Sequence, residues 1–102
     1  MTGPVGHPSW CDPSRCGVVA GRSAGTHCSR LIRIGPHPPG TVIAEVFLAQ
    51  GPAVAGYPRS GRPYVALAIG DADTELVLTP LGLELAHAVG RVLVGFAVEM
   101  AG

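Results

Sequence analysis

Hydrophobic and polar positions fall into regular runs only from Leu31 onward. Leu31–Ile34 (LIRI) reads as a short strand closed by the turn GPHPPG. Thr41–Gln50 follows as the best strand, with Val42, Ile43, Val46 and Phe47 as β-formers. A Pro/Gly loop, GPAVAGYPRSGRP, leads to two further runs, YVALAIG from Tyr64 and TELVLT from Thr74. They flank the tight segment GDAD and predict an antiparallel hairpin. The last element reads as a helix, with Thr79 as N-cap and Pro80 at N1, where a missing N–H is harmless. Leu81, Leu85, Val89, Val92 and Phe96 recur at helical spacing as an apolar ridge. Glu84, His87, Arg91 and Glu99 fall on the opposite side, and Gly82, Ala86, Gly90 and Ala97 form a smooth strip between them. The pattern predicts an α+β fold: a small antiparallel sheet of three to four strands with one C-terminal helix laid across a face. That helix carries more apolar surface than one small sheet covers, and its Gly/Ala strip offers a route to a homodimer.

Residues 1–30 show no such period. They are rich in Gly, Pro and Ser, which is loop chemistry, and a loop that long inside a compact domain needs something to order it. We therefore read 1–30 as a metal-ordered, zinc-knuckle-like N-terminal segment and 31–102 as a small α+β body, packed together as a single domain. A chain of 102 residues has room for one modest core. With five aromatic residues, that core is to be built from Val, Leu, Ile and Ala.

Formal charge is zero but unevenly spread. Residues 1–33 hold Arg15, Arg22, Arg30 and Arg33 against Asp12; residues 71–102 hold Asp71, Asp73, Glu75, Glu84 and Glu99 against Arg91. Four Arg spread over nineteen residues make no dense patch, so the ends are expected to attract each other within the fold. The first ten residues contain neither a charged n-region nor an apolar h-region. The longest apolar stretch is interrupted by Glu84, His87 and Arg91, which argues against a membrane span. A cytoplasmic location is expected, where thiols stay reduced. Three Cys, an odd count, suits a ligand set better than a disulfide framework.

Candidate ligands cluster where the periodicity is absent. Five of the seven Cys and His residues lie within 22 positions: His7, Cys11, Cys16, His27 and Cys28. Zinc takes four Cys or His ligands in a tetrahedron, and short spacings let two of them come from one loop while a distant element supplies the rest. Asp12-Pro13-Ser14 between the first two Cys is turn chemistry of the kind a knuckle needs. Two thiolates and two neutral imidazoles also cancel the charge of Zn²⁺. The candidate set is His7, Cys11 and Cys16, with either His27 or the adjacent, softer Cys28 as the fourth ligand. His37 in its Pro-rich turn and His87 on the helix read as surface residues, and Trp10 as packing over the knuckle.

The run HPSWC at His7–Cys11, followed by Cys16 and then HCS at His27–Ser29, resembles a family of small actinobacterial proteins of unknown function. Its N-terminal pattern is Cys-Pro-x-Trp-Cys, then a His, then a later His followed two positions on by Ser. Pro8, Trp10, Cys11, His27 and Ser29 match it; His7 stands where the family has Cys, and Cys16 where it has His. Both departures are Cys/His exchanges, which a zinc site tolerates and a nucleophile or disulfide does not. LTPLGLELA at Leu78–Ala86 is similar to the turn through which the family starts its final helix. The resemblance implies metal binding, with His27 completing the set of His7, Cys11 and Cys16, and no activity.

Sharper chemistries do not fit. A four-Cys iron–sulfur site lacks one thiolate, and the motifs of a nucleobase deaminase, a phosphate-binding Gly loop and a G-x-S-x-G hydrolase are absent. Asp12 is the only acid before Glu45. The expected function is a non-enzymatic zinc adaptor working through a protein partner, since neutral charge and no Lys predict weak phosphate affinity. The alternatives are a nucleic-acid-binding knuckle using Trp10 and the N-terminal Arg residues, and a redox sensor in which oxidation of Cys11 and Cys16 ejects the metal.

Overall fold

The structure, a computed structural model, describes residues 7–18, 25–56 and 60–102. Arg22 therefore lies outside the described residues. The strand-forming runs become β1 (His27–Cys28), β2 (Ile32–Ile34), β3 (Val42–Gln50), β4 (Tyr64–Asp71) and β5 (Thr79–Leu81), and the final element is α1 (Leu83–Ala101). The fold is α+β, a five-stranded antiparallel sheet with one C-terminal helix, one strand more than the sequence pattern predicts. The order is β1-β3-β4-β5, with β2 also pairing β3.

β1 and β2 share one edge of β3, and their register shifts between them. Cys28 stands opposite Ala49 and Ile32 opposite Val46, so four steps on one strand face three on the other. The extra residue is a β-bulge, a device that bends an edge and re-aims its side chains. Ser29 stitches the gap. Its N–H donates to the Leu48 carbonyl at 2.8 Å, and its buried Oγ accepts the Leu48 N–H at 2.8 Å while donating to the Arg30 carbonyl. Replacing Ser29 by Ala leaves that amide without its partner. A loss of about 1–3 kcal/mol is expected in urea unfolding, with the slope of the transition unchanged.

Alternation gives the sheet two faces. One carries Ile43, Phe47 and Ala49 of β3 beside Ala66, Ala68 and Gly70 of β4. Its Ile43, Ala49, Ala66 and Ala68 are the buried apolar residues among those described. Leu76, in the segment after β4, lies so close to Gly70 that a Cβ there would meet its Cδ2 at 2.8 Å. The other face is aliphatic, with Val42, Ala44, Val46 and Leu48 beside Leu67 and Ile69, and Ile32 and Ile34 alongside.

Two expectations about the last third are corrected. Thr79 and Pro80 do not start the helix: they pair with Leu67 and Ala66 in β5. β5 is an outer strand, where a residue lacking an N–H is tolerated. The helix begins at Leu83 behind an extended Gly82 that offers no side-chain cap. Strand pairing thus uses residues 79–81, and most of TELVLT stays irregular. Nor does the helix lie across a sheet face. With Gly82 alone separating it from an edge strand, α1 leaves the sheet at its rim and touches β4 only near its start. Ala86 and Val89 are half-buried, and every residue from Gly90 onward is exposed. The molecule is accordingly long, 51 × 28 × 27 Å, with a radius of gyration of 16.1 Å, against about 13 Å for a compact domain of this length. No helix among the described residues is long and apolar enough to cross a membrane.

Among the described residues, the charged ends do not pair directly. Among the described residues, the ion pair is between neighbours in the sheet, Arg33 and Glu45, at 2.9 Å.

Candidate metal centre

The N-terminal segment is held by backbone hydrogen bonds rather than by a core. The Cys11 N–H closes a turn onto the Pro8 carbonyl at 3.0 Å. Asp12 organises the next turn. Its carboxylate accepts both the N–H and the hydroxyl of Ser14, and its carbonyl accepts the amides of Arg15 and Cys16. The two bonds from Ser14 hold the Asp12 carboxyl below the usual carboxylate range. Two further bonds tie the loop to β1: Asp12 N–H to the Cys28 carbonyl at 2.8 Å, and Gly17 N–H to the Thr26 carbonyl at 2.9 Å. Arg15 clamps the loop to the sheet. Its guanidinium donates to the Ser29 carbonyl at 3.0 Å and stacks 4.6 Å above the Phe47 ring.

This scaffold brings His7, Cys11, Cys16 and His27 together, all half-buried, with one ligand atom from each within 4.8 Å of all the others. The Cys11 Sγ lies 3.5 Å from Nδ1 of His7 and 3.6 Å from Nδ1 of His27. The Cys16 Sγ lies 3.6 Å and 3.5 Å from the same two atoms. The imidazoles meet edge to face, with centroids 4.8 Å apart and planes at 81°. Hydrogen bonding does not account for this ring. The imidazole tautomers are free to vary, but no placement of the thiol and ring protons gives a donor facing an acceptor at all four contacts, and at least one is left without a bonding proton. A cation at the centre satisfies all four, and the group is one that could hold a metal ion.

Backbone amides also reach the sulfurs. The Val18 N–H donates to the Cys16 Sγ at 3.4 Å. The Cys11 thiol is pushed up by burial and by the neighbouring Cys16 sulfur, and a backbone hydrogen bond from Cys28 partly offsets this.

Cys28 is not in the group. His27 stands opposite Gln50 and Cys28 opposite Ala49, so the two point to opposite faces of the sheet. Alternation admits only one of the two, and the His27 ring is the one that meets both sulfurs. His37 and His87 are exposed and distant from the cluster, as their sequence settings suggest. Trp10 is half-buried and lines, with Cys11, Ile32, Val46, Leu48 and Val65, a cavity of about 640 Å³ beside the cluster. Sequence reasoning missed β1 and the bulge after it. The one signal that could have found them is Ser29, a small hydroxyl between a ligand pair and a strand.

No protein-family model, curated protein or solved structure matches the chain. The resemblance to the actinobacterial family thus rests on the knuckle residues and not on a family match. Of its second element, Leu78–Pro80 lie before and within β5 rather than at the start of the helix.

Proposed function

We propose that residues 7–28 form a structural zinc knuckle and that the chain is a non-enzymatic adaptor working through protein contacts. One observation supports zinc as the metal. A tetrahedral zinc ion with bonds of about 2.3 Å to sulfur and about 2.0–2.1 Å to nitrogen sets its sulfur–nitrogen edges at about 3.6 Å. All four such edges here measure 3.5–3.6 Å. Four protein ligands leave no open coordination position, which is the arrangement of structural rather than catalytic zinc. The nearby Asp12 carboxylate is engaged by Ser14 instead of facing a substrate.

Nucleic acid has less support as a partner. Of the four N-terminal Arg residues, Arg15 is committed to Phe47 and Ser29, and Arg33 to Glu45.

Native mass spectrometry of the full chain, purified without a metal-binding tag, tests the reading. One zinc per chain is expected, retained in Cys28→Ser and lost in Cys16→Ser. A folded chain that carries no metal, or zinc lost with Cys28 and kept without Cys16, overturns it.

A further inference from the structure

Two apolar surfaces of this chain lack cover. The first is the ridge of α1, where Leu85, Val92 and Phe96 are each 55–60 % exposed and Leu93 and Met100 widen the strip. The second is the aliphatic sheet face, where Ile32, Ile34, Val42 and Ile69 are 44–60 % exposed. We propose that each covers the other in a second copy: α1 of one chain docks on the aliphatic sheet face of its partner, and the partner's helix returns the contact, giving a two-fold dimer.

Area is the first argument. The chain exposes 7785 Å², whereas a compact monomer of 10.4 kDa exposes about 5,400 Å². A standard interface takes about 800 Å² from each partner, and the excess exceeds that several-fold. Dimensions agree as well. Val42 to Leu48 spans about 20 Å of strand, and Leu85 to Met100 about 22 Å of helix. Trp10 already lines the Val46–Leu48 end of that face, so a docked helix would lie over its more exposed end, at Ile34, Val42 and Ile69.

Charge selects a second copy over other occupants. The C-terminal third carries Asp71, Asp73, Glu75, Glu84 and Glu99 against Arg91, and the N-terminal third an excess of Arg. Arg15 and Arg33 are engaged within the chain, but Arg30 is exposed beside Ile32 and Leu48 at the edge of the aliphatic face, and reciprocal docking of two copies sets it against an acidic helix. A bilayer is the poorer match, because α1 holds Glu84 and Glu99 against Arg91 and lacks the basic bias of membrane-surface helices. The arrangement also differs from pairing through the Gly/Ala strip, since it uses the large side chains and leaves Gly90 and Ala97 at the margin.

Sedimentation equilibrium of the zinc-loaded full chain tests this independently of the metal reading, since zinc content is read on the same samples. A mass of twice 10.4 kDa is expected at tens of micromolar. Phe96→Glu on the helix and Ile34→Glu on the sheet are both expected to weaken association by roughly 30-fold or more while keeping zinc and the circular dichroism of the parent. Mixed together, the two variants are expected to associate more tightly than either alone, because one helix-on-sheet contact is then intact. A monomeric parent overturns the proposal, with or without binding to phosphatidylglycerol vesicles. So does an Ile34→Glu chain that stays dimeric while Phe96→Glu does not, which would mean helix-to-helix pairing.

Discussion

Stripping zinc with a chelator, or replacing Cys11 by Ser, is expected to free residues 7–18 from the sheet and destabilise the whole chain. The argument is one of magnitude. Structural zinc contributes about 10–16 kcal/mol to the folding of small zinc domains, as much as the whole stability of an ordinary domain. Besides the ion, two backbone hydrogen bonds and the Arg15 clamp tie the loop to the sheet, and no apolar core backs them among the described residues. Among the described residues the buried apolar ones are one Ile and three Ala, all on the far side of β3 and β4 from the aliphatic face, and none belongs to the N-terminal segment. Even 3 kcal/mol withdrawn from a chain of this size lowers Tm by roughly 15 °C. Hydrogen exchange reads the local event. The amides of Asp12, Cys16 and Gly17, bonded to Cys28, Asp12 and Thr26, should lose protection on chelation, ahead of those in the β3–β4 ladder. Burial keeps the Cys11 proton in place at neutral pH, so zinc must displace it, and affinity should climb about tenfold per pH unit through that range from this group alone. A Cys11→Ser chain that binds one zinc and keeps those amides protected would remove the basis of the metal reading.

Much of this site was legible because ligand chemistry is carried by residue type. Three thiols and two imidazoles in an aperiodic segment have few other uses, and Asp12-Pro13-Ser14 announces the turn between two of them. β2, β3 and β4 were legible for a different reason: their β-branched runs are long enough to show a preference without help from partners. β1 was not, because two residues have no period, and His27–Cys28 become a strand only through pairing with Ala49 and Gln50. The choice between His27 and Cys28 needed that pairing too, since both residues suit zinc and only the alternation of side chains across a strand separates them. The helix shows the limit from the other side. Its amphipathic spacing told which residues would be helical, but not what its ridge would meet. Packing across a face was the expectation because exposed ridges are unfavourable in a monomer. The chain instead spends Thr79–Leu81 on an edge strand, and the single Gly82 between β5 and α1 sends the helix off the rim.

Gly25→Ala should weaken zinc binding without removing a ligand, and the reason lies in how closely two backbones approach. Gly25 sits at φ +117°, a conformation that costs an L-residue about 1–3 kcal/mol. A Cβ there would also lie 2.5 Å from the Gly17 carbonyl oxygen, 2.9 Å from its carbon and 3.0 Å from the Cα of Val18. All three are main-chain atoms, which cannot rotate aside as a side chain does. They belong to the ribbon that follows Cys16, and Gly25 belongs to the one that leads into His27. The Gly17–Thr26 hydrogen bond joins the two at 2.9 Å. Relieving the clash therefore means separating the two halves of the ligand set. A combined penalty of about 3 kcal/mol, expressed in the bound geometry, corresponds to roughly a 100-fold loss of zinc affinity in competition with a fluorescent chelator. Gly17→Ala is the matched control. Its Cβ would find its nearest neighbours at 3.6 Å, ordinary van der Waals contact, so its affinity should stay within about threefold of the parent, under 1 kcal/mol. Equal affinities for Gly25→Ala and the parent would mean that the approach of these two ribbons does not set the ligand geometry, and that the four side chains find the ion through a looser backbone.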